Sequence, residues 1–191
     1  MILTENKLGR IFPTAGKVLI RTYTAAFNKH FPKYGMTSPK RIAAFLGQIG
    51  VESGELKFDE ELPSKWNKSD PTNKEEPTGT LYEDNKMLGN YVKGDGARYI
   101  GRGIIQITGR YNYTLYGGLL GIDLIKNPQM AKDPDISTQI ALEYWKKKEC
   151  NSYADRWFLE QITEKVNGKR KLHHDKRVAL SEKALKILEE T

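Results

Sequence analysis

Apolar residues recur three and four positions apart at Ile42, Phe45, Leu46 and Ile49, the spacing of one buried helical face. Ser38-Pro39 supplies an N-cap and a first-turn proline for this helix, and Gly54 supplies its stop. At about 100° per residue, Glu52 lies about 20° from Phe45 and so falls on the apolar face. An earlier helix is expected over 14–29, with Val18, Leu19, Thr22, Ala26 and Phe27 toward the core. Helical periodicity returns at Ile136, Ile140 and Tyr144, and again at Phe158, Ile162 and Val166. A last helix is expected over 175–189, with Leu180, Ala184, Leu185 and Leu188 inward. Between 63 and 95 the pattern breaks at Pro63, Pro71, Pro77 and several Gly, Asn and Asp residues, with a short helix expected over 81–88. The pattern predicts a mainly α protein, organised as a single domain over 1–191 around a glycine-rich central loop.

The length of 191 residues suits one sizeable core. No run of about 18 apolar residues predicts a membrane span. The first residues, Met1 to Lys7, lack the basic-then-apolar pattern of a signal peptide, so the cytoplasm is the expected place of synthesis and storage. The one cysteine, Cys150, excludes an internal disulfide and reads as structural. A net charge of +7 implies an anionic partner. The densest basic stretch, 165–177, holds Lys169, Arg170, Lys171, Lys176 and Arg177. Lys169, Arg170 and Lys171 are the expected contacts to anionic envelope polymers; a solvated face with no role is the alternative.

Candidate chemistry centres on two glutamates. Burial on the apolar face and the negative end of the helix dipole should both raise the pKa of Glu52. Glu61, nine residues on in a polar stretch, should stay ionised. Two carboxyls with pKa values pushed apart meet the requirement for acid/base cleavage of a glycosidic bond. The plainer alternative is a solvated helix end followed by a surface charge run, Asp59-Glu60-Glu61. On an extended segment Glu60 and Glu61 cannot both face a cleft, so the base is one or the other. His30 is isolated, and the adjacent His173-His174 cannot present the two-histidine face of a zinc protease, so no metal is expected. No cofactor motif and no nucleic-acid-binding signature appears, and the chain is expected to act as a monomer.

The most distinctive segment runs from Tyr99 through Gly101-Arg102-Gly103-Ile104-Ile105-Gln106-Ile107-Thr108-Gly109 to Tyr111-Asn112-Tyr113. Its glycines allow close backbone approach. Gln106, Thr108 and Asn112 offer amide and hydroxyl groups suited to sugars, and Tyr111 and Tyr113 offer rings. It has neither the Gly-Lys-Ser/Thr of a phosphate loop nor a dinucleotide fingerprint. An ordinary structural turn fits its composition as well.

This segment resembles the signature of glycoside hydrolase family 19, which holds chitinases and related bacteriophage endolysins. Phe45-Leu46-Gly47-Gln48-Ile49-Gly50-Val51-Glu52-Ser53-Gly54 is similar to the family's catalytic-acid segment. Leu81-Tyr82-Glu83-Asp84, Gly94-Asp95-Gly96, Gly121-Ile122-Asp123-Leu124 with Asn127-Pro128, and Val166-Asn167-Gly168 follow in the family's order. Val51, Glu55, Leu56 and Lys169 depart from the common residues. The resemblance implies a lysozyme-like, two-lobed fold with a central substrate cleft and an inverting mechanism. It implies Glu52 as general acid, Glu61 as general base and Thr108 as holder of the attacking water. It implies Gln106, Tyr111, Asn112 and Asn167 as sugar contacts. Peptidoglycan glycan strands are the expected substrate, with chitin the alternative and host lysis by an endolysin the expected setting; a cell-wall effector delivered by a contact-dependent secretion system or a non-catalytic wall-binding protein would also use this fold.

Overall fold

The computed structural model describes residues 2–61 and 79–190. The loop expected from Pro63, Pro71 and Pro77 lies largely outside the described residues. Among those described, nine α-helices follow in order: α1 (Glu5–Ile11), α2 (Lys17–His30), α3 (Pro39–Glu52), α4 (Asp95–Arg98), α5 (Arg110–Leu120), α6 (Pro134–Lys147), α7 (Cys150–Asp155), α8 (Leu159–Asn167) and α9 (His174–Glu189). Extended pairing among these residues is limited to two isolated bridges, Glu60 with Arg102 and Arg102 with Ile107. The architecture is mainly α, as the periodicity predicts.

Helix α3 forms as its sequence dictates. Ser38 Oγ accepts from the Arg41 N–H at 3.3 Å, Pro39 opens the first turn, and Ile42, Phe45, Leu46 and Ile49 are buried. Glu52 is its last residue. Ser53 Oγ then donates to the Ile49 carbonyl and accepts from the Leu56 N–H. Gly54, Glu55 and Leu56 follow in left-handed conformations (φ 55°, 61° and 68°). This turn buries Leu56 and sends the chain toward Glu60 and Glu61.

Four details differ from the pattern. In α2 the buried stripe is Ile20, Tyr23 and Phe27, while Val18 and Thr22 are exposed. The aromatic rings win the interior: Phe27 stacks on Phe31 at 5.1 Å, and Phe45 meets Trp145 edge-on at 5.4 Å. Helix α1, with Leu8 and Ile11 buried, is two turns long, too short for periodicity to reveal. Over 81–88 two 3₁₀ turns, Thr80–Tyr82 and Lys86–Leu88, replace the expected helix, because Asn85 accepts from the Met87 and Leu88 N–H groups and starts a new turn. Phe158 caps α8 and stands out of the core, whereas Ile162 is buried.

The hydrophobic residues gather into two clusters. The larger joins α1, α2, α3, α7, α8 and α9 through residues such as Phe27, Phe45, Trp145 and Ile162. The smaller contains Tyr99, Ile107, Tyr113, Tyr116 and Leu124. Helix α6 serves both, Ile140 facing the smaller cluster and Leu142 and Trp145 the larger. These are the two lobes. Gly47 and Gly50, one turn apart on α3, let α9 lie against it: a methyl at Gly47 would sit 1.9 Å from Ser181 Oγ, and one at Gly50 2.6 Å from Leu180 Cδ2.

Candidate active site

A cavity of about 280 Å³ opens between the lobes. Glu52, Tyr144, Val166 and Asn167 line it from α3, α6 and α8; Leu88, Gln106, Thr108, Asn112 and Tyr116 line it from the other side. Three of the four expected sugar contacts thus meet Glu52 and Thr108 on one wall-to-wall space. Tyr111 does not. It faces an adjoining groove with Lys86, Met87 and Tyr91, its ring exposed.

Glu52 is not enclosed by apolar side chains, as the helical wheel implies. About a fifth of it is exposed, 21% by side-chain area, and Arg177 Nη2 donates to its Oε1 at 2.7 Å. Periodicity could not show this, because the arginine arrives from α9, 125 residues away. Arg177 is buried, so it is no part of the solvated basic face to which its sequence neighbours belong. Its other two nitrogens also donate: Nη1 to Gln48 Oε1 at 3.0 Å and Nε to the Leu172 carbonyl at 3.1 Å. Gln48 in turn donates to Thr163 Oγ1, which also lies 3.1 Å from His174 Nδ1. The network fixes one oxygen of Glu52. Among the described residues Oε2 has no protein donor. Tyr144 stands close by, its hydroxyl pushed up to about 12 by burial and then by the negative fields of Cys150 and Glu52.

Glu61 is held from the other side. Its N–H donates to the Gly101 carbonyl at 2.9 Å, and the Gly101 N–H donates back to Oε2 at 3.1 Å. Tyr82 Oη donates to Oε1 at 2.8 Å. Burial and this bond push the Tyr82 hydroxyl up to about 12, so it stays a donor at working pH. A methyl built on Gly101 would lie 3.3 Å from both Glu61 Oε2 and Thr108 Oγ1 and 2.7 Å from Gln106 Oε1. Glu61 therefore shares the neighbourhood of Thr108 and Gln106 at the edge of the cavity. Glu60 points elsewhere, accepting from Arg102 Nε at 2.6 Å with Lys132 at 3.7 Å. Burial pushes the Glu60 carboxyl up, but the hydrogen bond and charges of Arg102 and Lys132 bring it below its ordinary value. The two neighbouring glutamates alternate, as an extended segment requires.

The central motif is the brace for this wall. Buried Arg102 ties Glu60 to the Arg98 carbonyl and Tyr113 Oη. Gly103 and Gly109, both at positive φ, approach protein backbone: a methyl would lie 2.7 Å from the Ala131 carbonyl and 2.6 Å from the Leu88 carbonyl. The glycines thus serve the fold. Gln106 sits at φ 53°, a left-handed position that its Nε2 bond to the Gly103 carbonyl supports. Arg110 pairs with buried Asp95 at 2.5 Å, and its N–H donates to Asn90 Oδ1, whose amide holds the Tyr82 carbonyl. A chain of bonds therefore runs from the start of α5 to the tyrosine that orients Glu61.

A profile of the family described as "Chitinase class I", a glycoside hydrolase family 19 model, matches residues 17–157. The chain belongs to glycoside hydrolase family 19. It is 32% identical over 185 residues to a glycosyl hydrolase family 19 domain-containing protein of Haemophilus influenzae, covering 88% of each chain. It is 32% identical over 143 residues to an endochitinase of Arabidopsis thaliana, covering 74% of this chain and 45% of that one. The chain thus spans about half the length, or less, of the plant endochitinases it matches. Among solved structures, chitinase C from Streptomyces griseus aligns with TM-score 0.76 at 19% identity, covering 100% of this chain and 78% of that one. A bacterial family 19 chitinase aligns with TM-score 0.76 at 19% identity, covering 97% of its chain. These structures share the lysozyme-like fold. As a family 19 member the protein is a chitinase-like glycoside hydrolase.

The candidate site contains groups whose part in it the sequence did not reveal. Arg177 counted only as one charge of the basic stretch 165–177, and Tyr82 only as part of an expected short helix and of the family resemblance. Asn167 and Asn112 also do structural work: Asn167 Oδ1 accepts from the Leu172 N–H at 2.6 Å, and Asn112 Nδ2 donates to the Thr108 carbonyl at 2.8 Å. Lys171 pairs with Glu160, while Lys169 and Arg170 are exposed between α8 and α9. Cys150 is buried, its thiol pushed up to about 12 by burial. His30 is bonded to Asp135 at 2.8 Å, and among the described residues no cluster of potential metal ligands occurs. No helix among them is long and apolar enough to cross a membrane.

Proposed function

We propose that the protein hydrolyses β-1,4 bonds of peptidoglycan glycan strands by direct displacement. The observation that carries this reading is a pair of separately held carboxylates: Glu52 lines a cavity rich in amides and hydroxyls, and Glu61 lies beside Thr108 and Gln106, two residues of that lining. Glu52 donates a proton to the glycosidic oxygen. Arg177 occupies only its Oε1, which leaves Oε2 to carry that proton. Glu61 removes a proton from water on the opposite face of the sugar, and Thr108 Oγ1 helps to hold that water. Tyr82 and the Gly101 N–H keep the Glu61 carboxylate aimed while its charge is consumed. Gln106, Asn112 and Asn167 orient the sugar substituents through whichever polar atoms their structural bonds leave free. No metal or cofactor enters the scheme.

Chitin is the second reading, favoured by the plant relatives, which are endochitinases. Similarity of the central segments to endolysin members makes lysis of a bacterial host the setting we favour. Mass spectrometry of fragments released from purified peptidoglycan tests the proposal. New reducing ends at one of the two alternating amino sugars are expected. Intact sacculi alongside digested chitin would replace the first reading with the second.

A further inference from the structure

The positive charge of the chain is not in its cleft. The cavity between the lobes has one charged residue among its described lining, Glu52, and no cation. Behind the last turn of α3 lies a separate groove of about 600 Å³ that shares no lining residue with the cleft. One stripe of α9, Lys176, Leu180 and Lys183, forms a wall of it with His173 just before the helix, and Lys57 lines it from the turn after α3. Lys183 is tethered, its Nζ donating to the Ile11 carbonyl at 3.0 Å. The one acid in the groove, Glu55, turns its Oε2 to Thr14, accepting from its N–H at 3.0 Å and its Oγ1 at 2.5 Å, and three lysines against this one carboxylate leave the groove positive. Three lysines from two elements thus converge over an apolar floor. The basic run at Lys169, Arg170 and Lys171 stands outside this groove, with Lys171 paired to Glu160.

We infer that this groove holds the anionic groups, carboxylate or phosphate, of a polymer whose neutral sugars occupy the cleft. The inference rests on the glycosidase reading and narrows it: the preferred substrate is an acidic wall glycan over neutral chitin. Both sites adjoin the last turn of α3: Gly50 and Val51 line the groove and Glu52 lines the cleft. Exposed charges attract over about 8–10 Å at physiological salt.

The test uses a Lys57→Gln/Lys176→Gln double variant, with Lys57→Arg/Lys176→Arg keeping the charge. Neither residue touches the cleft. Binding is read by co-sedimentation with purified sacculi across a salt series, in a Glu61→Gln background so that the walls are not digested. The glutamine pair should bind about fivefold more weakly at low salt, converge with wild type at high salt, and be rescued by arginine. Sacculi stripped of phosphodiester polymers, and sacculi stripped of peptide branches, then tell phosphate from carboxylate as the bound group. With Glu61 intact, hydrolysis of a neutral chito-oligosaccharide should be unchanged in the double variant, and so should the thermal midpoint. Equal sedimentation at every salt concentration overturns the inference, as does failure of the arginine pair to restore binding. If the wild-type chain cleaves no glycan, the glycosidase reading falls by itself, because the sedimentation difference needs no turnover.

Discussion

Glu52 ends a 14-residue helix and is held from a distance, whereas Glu61 lies on irregular chain and is clipped to its neighbours. The first depends on how closely two helices pack. Gly47 and Gly50 set the spacing of α3 and α9, and that spacing delivers Arg177 to Glu52 Oε1. The second depends on a loop: two backbone bonds to Gly101 and one phenol, Tyr82, held by Asn90. A carboxylate placed by helix packing is sensitive to bulk far from it. One placed by a loop is sensitive to single polar atoms.

The comparison breaks first at the carboxylates themselves. Glu52→Gln and Glu61→Gln should each lower turnover by about 10²–10⁴-fold with the fold intact, measured by clearing of permeabilised bacteria and by circular dichroism. Glu60→Gln should cost much less, since Glu60 serves Arg102 and Lys132. A larger loss at Glu60 would move the base by one residue.

Gly47→Ala tests the packing side. Its methyl meets Ser181 Oγ and the Arg177 carbonyl, so α9 must shift. Destabilisation of about 1–3 kcal/mol is expected in denaturant unfolding, with lost activity. Gly118→Ala, where nothing lies within 4 Å, should be neutral or stabilising. Equal effects at the two glycines would sever the link between helix spacing and Glu52.

The loop side yields a smaller effect. Tyr82→Phe removes one hydrogen bond to Glu61 and should lower turnover about fivefold, with the thermal midpoint nearly unchanged. Turnover equal to wild type would show that the Gly101 N–H alone orients the base.

The smallest effect concerns acid stability. The hydrogen bond from Arg110 holds the Asp95 carboxyl below its ordinary 3.8, outweighing the upward push of burial. A depressed folded-state value stabilises the native state above about pH 4, and this contribution is lost as pH falls through the folded value. Asp95→Asn should therefore lose less of its thermal midpoint than wild type between neutral and strongly acid pH. An unchanged acid slope would remove Asp95 from the account.

The fold was legible wherever apolar residues repeat over three turns or more, as in α3, α6 and α9, with caps such as Ser38-Pro39 to mark ends. It was not legible in α1, which is too short, nor in the register of α2, where aromatic packing decided between two stripes. The candidate site divides in the same way. Glu52, Gln106, Thr108, Asn112 and Asn167 could be named because each sits in a segment with a local pattern or a family resemblance. Arg177 and Tyr82 could not, since their meaning comes from partners 125 and 21 residues away. The same limit explains why Glu52 was expected in an apolar enclosure: a helical wheel shows a residue's own face and nothing of what docks on it.

Direct displacement between two separately held carboxylates is the central claim, and the anomeric configuration of the first product tests it most directly. Proton NMR during early hydrolysis of a β-1,4-linked N-acetylglucosamine oligomer, or of solubilised glycan strands, reads that configuration before mutarotation. The account predicts that the α-anomer appears first and the β-anomer follows slowly. A β-anomer formed first would mean retention, and would contradict Glu61 as a base acting on water.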